Sequence, residues 1–162
     1  MHLTHTLPIF IDKDSETIIL GSFPSVKSRE VMFYYGHPQN RFFSVLARLF
    51  NEDAPINVEQ RKAFLKRHKI ALYDVIDECD ILGSADSSIK NAKPIDIELV
   101  LQKYPNIKVI GVNGNKARDL FIKHLLEKVS IKVFFLPSTS PANAKMNITD
   151  LCKCYKVLFI NQ

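Results

Sequence analysis

The stretch YYGHPQNRFF, residues 34 to 43, gathers side chains that can stack on a flat ligand or hydrogen-bond to it. Two tyrosines, a histidine and an amide stand close together, and no regular apolar period indicates core packing. Aromatic rings stack on nucleobases, and an amide both donates to and accepts from a base edge. The stretch therefore points to a site for a planar, polar ligand.

Four polar segments follow apolar runs elsewhere in the chain and are candidates for the same site. They are GSFPS at 21–25, YDVIDECD at 73–80, VNGNKA at 112–117 and LPSTSPANA at 136–144. Plainer alternatives exist: a tight turn for the first, a strand end with a helix cap for the third, and a loop stopped by Pro141 for the last. The basic run at 59–69 is typical of a solvated helix face.

The apolar runs that precede these segments predict the strands that position them. The runs cover 17–22, 70–76, 107–113 and 131–137, and most are continuous rather than alternating, as in parallel strands buried on both faces. Helical patterns are expected at about 41–50, 58–69, 95–103, 115–128 and 148–159. This alternation predicts one α/β domain over 1–162, a three-layer α/β/α sandwich around a mainly parallel four-stranded sheet.

In such sheets, ligands bind outside the carboxyl ends of the strands, where the loops converge. The polar side chains expected on that rim are Tyr34, Tyr35, His37, Asn40, Ser138, Ser140 and Asn143. The sequence contains no GxSxG, Walker, HExxH or GxGxxG motif. Rings, amides and hydroxyls suit reading of a nucleobase and stabilisation of charge by hydrogen bonds.

Composition narrows the class of protein. The 162 residues are 46% hydrophobic and 24% charged, which is typical of a globular protein, and the net charge of +5 favours an anionic partner such as nucleic acid. No apolar stretch approaches the roughly 18 residues of a membrane span, so we expect a cytoplasmic protein. Cys79, Cys152 and Cys154 form no CxxC pair, which favours reduced thiols over a disulfide framework or a metal site.

GSFPS, YYGHPQNRFF and LPSTSPANA together resemble the uracil-DNA glycosylase superfamily, and most closely its hypoxanthine-DNA (deoxyinosine) glycosylase branch. The first segments also resemble the GINPG and HPANRFW pattern of mismatch-specific uracil glycosylases. ALYDVIDECDILGSADSSI and VNGNKA resemble the intermediate segments of the branch in order and spacing. The similarity runs from Gly21 to Asn143.

The resemblance implies a monofunctional DNA glycosylase of base-excision repair, which flips out a deaminated base, hypoxanthine and/or uracil, and hydrolyses its N-glycosidic bond. Such a reaction needs a positioned water and donors that face the departing base. DNA is the implied partner of a monomer. No cofactor is implied, because the relatives that hold an iron–sulfur cluster use four cysteines and this chain has three.

Catalytic roles are implied for Asn40 and His37. Superfamily members with GQDPY or GINPG use an Asp or Asn of the first motif to handle the water, whereas the aligned residue here is Phe23. The resemblance therefore assigns water positioning and transition-state stabilisation to Asn40. His37 is assigned to donation to the leaving base or a phosphate, with a structural histidine beside Pro38 as the alternative.

Base binding is assigned to Gly21, Ser22, Phe23, Tyr35, Asp74 and Asn113. Phe23 or Tyr35 is expected beneath the flipped base, with Tyr34 as a weaker choice that could belong to the core. Asp74 reads a base edge, orients a neighbour or caps a helix. Asn113 is expected to contact the Watson–Crick edge.

DNA binding is assigned to the loop after the fourth strand, with Ser138 and Ser140 gripping phosphate. The residues are Ser138, Ser140, Pro141, Asn143 and Lys145, and further phosphate pairing is expected from Lys116, Lys90 and Arg41. Two positions depart from the branch, Ser25 for Gly and Phe43 for Trp.

Two other classes of function remain open at this point. One is a nucleic-acid-binding module that retains the pocket without efficient catalysis. The other is an acyl or ester hydrolase, which would need Ser22 or Ser138 in hydrogen-bond reach of a histidine such as His37.

Overall fold

A four-stranded parallel sheet lies at the centre of the computed structural model, which describes residues 1–160. The strands in chain order are β1 His2–Thr4, β2 Thr17–Gly21, β3 Ile70–Asp74, β4 Ile76–Asp80, β5 Lys90–Pro94, β6 Val109–Asn113 and β7 Lys132–Leu136. The helices are α1 Val26–Val31, α2 Phe42–Leu49, α3 Val58–Arg67, α4 Ile97–Lys103, α5 Asn115–His124 and α6 Ile148–Tyr155.

The central sheet has the order β3-β2-β6-β7, and every neighbouring pair is parallel. Its strands coincide with the four apolar runs, so the predicted fold class is confirmed. The central position of β2 explains its continuous apolar sequence, because Ile18, Ile19 and Leu20 are all fully buried. The prediction of one domain over 1–162 stays a prediction.

Helices cover both faces of this sheet and complete the three layers. On one face, Ile19 and Leu72 pack in a core with α2, α3 and α6. On the other, Ile18 and Ile110 pack with α4 and α5. Successive strand residues point to opposite faces, so each strand contributes to both cores. Because the four strands are parallel, their carboxyl ends lie at the same edge of the sheet.

A second sheet was not predicted. Its strands have the order β1-β4-β5, and both pairings are antiparallel. The run 70–76 was predicted as one strand, but β3 ends at Asp74 and Ile76 already begins β4. Within the described residues, no helix has the length and apolar character needed to cross a membrane.

Candidate active site

A cavity of about 400 Å³ opens at the carboxyl ends of the parallel strands. Its volume lies in the range of about 300–1,000 Å³ that small-molecule sites occupy. The structure brings most predicted site residues to its walls, namely Gly21, Ser22, Phe23, Tyr35, His37, Asn40, Asp74, Asn113, Ser138, Ser140 and Pro141. Asn143 and Lys145 are not among the residues that line it. Tyr34 contributes to the wall and to the core.

Asn40 is fixed in orientation at the start of α2. Its Oδ1 accepts from the Phe42 N–H at 2.9 Å, and its own N–H donates to the His37 carbonyl at 3.0 Å. Among residues 1–160, no acceptor takes a hydrogen from its Nδ2. The amide can therefore donate into the cavity, and Oδ1 retains a second lone pair for a water.

His37 lies at the exposed mouth of the cavity. Its Nδ1 accepts from the Gln39 N–H at 3.1 Å, which places the ring proton on Nε2. The ring is thus oriented by its own turn and not by packing in the core. Nε2 can then donate to a ligand, and the predicted contact with a base or phosphate stays a prediction.

Three aromatic residues form part of the cavity wall. Tyr35 has a left-handed backbone, with φ of 55°, and stacks on Phe42 with ring centroids 3.9 Å apart. Burial and the charge of Asp74 raise the pKa of Tyr35, while the Asn113 amide opposes the shift. The Tyr35 hydroxyl is buried without a hydrogen-bond partner among the described residues. Phe23 is 6% exposed, and Tyr34 is a core residue whose hydroxyl donates to the Pro8 carbonyl at 2.8 Å.

Asp74 terminates β3 and faces the cavity from beside Gly21. The two residues are aligned in the β2–β3 register, and a Cβ at Gly21 would lie 2.5 Å from Asp74 Oδ1. Gly21 therefore leaves the space that this carboxylate occupies. Because strand β4 follows at once, the helix-capping alternative for Asp74 is wrong. Asp74 Oδ2 instead lies 2.8 Å from Nε2 of His5, a residue that the sequence motifs did not indicate.

Asn113 anchors the loop that follows β7. Its Nδ2 donates to Thr139 Oγ1 at 3.1 Å, and its Oδ1 accepts from the Thr139 N–H at 3.2 Å. Thr139 is completely buried, and its neighbours Ser138 and Ser140 line the cavity. Asn113 therefore positions this loop, whatever it contributes to a base.

Side-chain oxygens organise the same loop internally. Ser138 Oγ accepts from the Ser140 N–H at 3.1 Å, and Ser140 Oγ accepts from the Ala142 N–H at 3.2 Å. Asn143 Nδ2 donates to the Ser138 carbonyl at 3.0 Å. Both serine hydroxyls keep their own hydrogen for a phosphate oxygen.

The guanidinium of Arg41 bonds to the loop, and its predicted phosphate contact stays a prediction. Nη2 donates to the carbonyls of Ser140 at 3.1 Å and Asn143 at 2.9 Å, and Nη1 donates to the carbonyl of Met146. A planar guanidinium holds several acceptors in one fixed geometry. Arg41 therefore ties the start of α2 to the loop after β7.

The serine chemistry required for an acyl or ester hydrolase is not assembled. Ser22 Oγ donates to Asp86 Oδ1 at 2.8 Å, and neither Ser22 nor Ser138 bonds to a histidine among the described residues. Desolvation raises the pKa of Asp86, and the Ser22 hydroxyl opposes the shift. In the same part of the chain, no group of three or more His, Cys, Asp or Glu side chains could hold a metal ion.

Comparison with known proteins supports the family that the motifs resemble. The chain is 34% identical to the hypoxanthine DNA glycosylase of Methanosarcina barkeri over 139 residues, which cover 85% of this chain and 87% of the relative. It is 31% identical to the hypoxanthine DNA glycosylase of Methanosarcina acetivorans, with 86% and 88% covered. No protein-family model matches the chain.

The fold is also shared with a solved structure. The solution NMR structure of a candidate uracil DNA glycosylase from Methanosarcina acetivorans superposes with a TM-score of 0.81 and 28% identity. The match covers 98% of this chain and 99% of that chain. Sequence, fold and cavity thus agree, and the chain belongs to the hypoxanthine-DNA glycosylase branch of the uracil-DNA glycosylase superfamily.

Proposed function

We propose that this DNA glycosylase excises hypoxanthine, uracil or both from DNA, as a monofunctional monomer that acts in the cytoplasm. One observation carries the proposal: Asn40, oriented by the first turn of α2, shares a cavity of about 400 Å³ with rings and polar groups able to hold a base. The curated relatives bear the name of an enzyme that acts on hypoxanthine.

The base is reached only outside the duplex, so the nucleotide flips into the cavity. Flipping costs a few kcal/mol and is least costly for a mispaired base. Stacking on an aromatic ring such as Phe23 or Tyr35 returns about 1–3 kcal/mol. Deaminated bases mispair and therefore enter the cavity more readily than the normal bases of the duplex.

Bond cleavage then depends on charge stabilisation rather than on a strong base. Asn40 holds a water at its Oδ1 and donates from Nδ2, and its amide does not titrate in the ordinary range. As the glycosidic bond breaks, positive charge develops on the sugar and negative charge on the departing base. His37 Nε2 donates to the base or to an adjacent phosphate.

The DNA backbone is held by the loop after β7. Ser138 and Ser140 donate their hydroxyl hydrogens to phosphate, while Lys145 pairs with the backbone beyond the cavity. The net charge of +5 adds a sequence-independent attraction to DNA.

The test is a base-release assay with wild type, Asn40→Ala and Asn106→Ala. Duplexes carry deoxyinosine, deoxyuridine or deoxyxanthosine opposite each normal base, and alkali reveals abasic sites. Asn40→Ala is expected to slow release by about 100- to 1,000-fold, the usual effect of removing one transition-state donor. Among residues 1–160, the Asn106 side chain bonds only to the Lys13 carbonyl, on the exposed surface, so its variant should match wild type.

The assay tests the role of Asn40 and the glycosylase reaction separately. Full activity in Asn40→Ala would reject the role of Asn40 but keep the enzyme. If wild type binds DNA and releases no base, the protein is a binding module that has kept the fold without the chemistry.

A further inference from the structure

His5 is a buried histidine that the proposed mechanism does not use. Its side chain is 1% exposed, and its ring stacks on Tyr73 with centroids 4.3 Å apart. The same ring packs against Phe23 in a T-shaped arrangement, with ring centroids 5.7 Å apart. The His5 N–H also donates to the Asp77 carbonyl at 2.6 Å, so backbone and ring are both held. His5 is therefore held in one position directly behind the cavity wall, where it can orient a residue that lines the cavity.

The hydrogen bonds of His5 determine which ring nitrogen carries the proton. Nδ1 accepts from the Leu7 N–H at 3.2 Å, so Nδ1 has no hydrogen of its own. The proton therefore resides on Nε2, which donates to Asp74 Oδ2 at 2.8 Å. The orientation of the histidine thus makes it a permanent donor to Asp74.

The second carboxylate oxygen of Asp74 remains available. Oδ1 lies on the Gly21 side, and no donor among residues 1–160 bonds to it. Asp74 lines the cavity although its side chain is only 8% exposed. A carboxylate accepts hydrogen bonds and donates none. Asp74 Oδ1 is therefore an oriented acceptor in the cavity wall, and an N–H group of a ligand can donate to it.

We propose that His5 is a positioning residue that holds Asp74 Oδ1 ready to accept a ring N–H, so that the pair selects bases carrying such a group. The inference rests on the proposed function. Hypoxanthine and xanthine carry N1–H and uracil carries N3–H, whereas adenine N1 and cytosine N3 have a lone pair there. A lone pair facing a carboxylate is repelled, and the carboxylate is left unpaired.

The selection rejects adenine and cytosine but not every normal base. Guanine also carries N1–H and thymine carries N3–H, so Asp74 cannot reject either base, and the 2-amino group of guanine and the 5-methyl group of thymine must be excluded by other parts of the wall. The pair accordingly separates adenine from hypoxanthine and cytosine from uracil. In these two parent–product pairs, deamination of the exocyclic amine also converts a ring lone pair into an N–H group, whereas guanine and its product xanthine both carry N1–H.

Binding measurements test the inference apart from catalysis. The probes are duplexes whose target nucleotide has a 2′-fluorinated sugar, which resists hydrolysis, and carries either hypoxanthine or adenine. His5→Phe keeps a ring against Tyr73 and removes the donor, whereas His5→Gln keeps a donor near Nε2 and removes the ring. Asp74→Asn replaces the acceptor with an amide that can also donate to adenine.

Wild type is expected to prefer hypoxanthine over adenine by at least tenfold. The preference should fall several-fold in His5→Phe and in Asp74→Asn, and His5→Gln should retain most of it. Combining His5→Phe with Asp74→Asn should add no further loss, because His5 acts through Asp74. His2→Phe is the matched control, since His2 also bonds a carboxylate, Asp80 at 2.9 Å, but on the surface.

Several outcomes would overturn the inference. They are no hypoxanthine preference in wild type, an unchanged preference in His5→Phe, equal losses in His5→Phe and His5→Gln, or additive losses in the double variant. Thermal unfolding of every variant separates these effects from simple destabilisation. Failure of the proposed function looks different, because wild type would then keep the binding preference and release no base.

Discussion

Gly21 shows how one residue shapes the candidate site. It is the last residue of β2, and its missing side chain gives Asp74 Oδ1 a place at the cavity wall. Tyr35 Oη also lies close, 3.9 Å from where a Cβ would stand. Even a methyl group would have to displace a carboxylate that His5 holds from behind. The cavity is therefore sensitive to the smallest enlargement at this position.

We predict that Gly21→Ala lowers kcat/KM for a deoxyinosine duplex by at least tenfold, since sub-ångström displacement of a positioned group already costs rate. Steady-state kinetics would measure the loss. Gly83→Ala is the control: its added Cβ meets nothing within 4 Å, so only the left-handed φ of 59° opposes it. That strain costs about 1–2 kcal/mol of stability. Equal kinetics in wild type and Gly21→Ala would contradict the close fit.

The sequence predicts the site well where motifs are local and poorly where partners are remote. Asn40 and Tyr35 belong to one short stretch whose composition is unusual on sight. His5 stands in a segment with no motif, and its partner Asp74 is 69 residues away. Only the folded chain shows that these two side chains meet. For the same reason, the hydrogen bonds from Arg41, which is adjacent to Asn40, to loop carbonyls were not expected from the sequence.

At the scale of elements, the loop between β7 and α6 is held in place at the site by hydrogen bonds from neighbouring elements. Arg41, directly before α2, bonds to two of its carbonyls, and Asn113 at the end of β6 bonds to Thr139. From α6, Tyr155 Oη donates to the Pro137 carbonyl at 2.7 Å. Three different elements thus fix a segment that contains little secondary structure of its own.

We predict that Arg41→Met and Lys145→Ala both weaken DNA binding, for different reasons. Arg41→Met frees the loop without removing a phosphate contact, so the slope of log affinity against log salt should stay unchanged. Lys145→Ala should flatten that slope by about 0.9, the contribution of one phosphate contact. Fluorescence anisotropy over a salt series measures both. A flattened slope in Arg41→Met would mean that Arg41 reaches DNA after all.

Element prediction succeeded where burial is strong on both faces. The strands of the parallel sheet are nearly continuous apolar runs, a pattern typical of strands covered by helices on each side. β4 and β5 read IDECD and KNAKP, with charged and amide side chains that favour turns or exposed loops. They form strands because β4 pairs with β1 and β5, and such tertiary pairing leaves no local signal.

At the scale of the whole molecule, the segment after β1 covers the edge strand β3 of the central sheet. Phe10 and Leu72 exchange backbone hydrogen bonds at 3.0 and 2.9 Å, so the segment after β1 shields β3. The opposite edge strand, β7, begins with the charged residue Lys132. Covered edges and edge charges oppose strand addition by another chain.

We therefore predict a monomer, both free and bound to a duplex with a single lesion. Light scattering coupled to size exclusion should give the mass of one chain, and a titration should saturate at one protein per duplex. The reason is that the segment after β1 covers the β3 edge of the central sheet and a lysine begins the β7 edge. A dimer that persists on dilution would contradict the prediction.

The cavity also has a consequence for the order in which the molecule assembles. Its walls are joined by contacts between residues far apart in the chain: His5 with Asp74, Arg41 with Asn143, and Asn113 with Thr139. Closing such long loops slows folding, and none of these contacts exists in a chain that has formed only its helices. During synthesis the pocket cannot form before Thr139 has emerged. A nascent chain therefore passes most of its translation unable to engage a nucleobase.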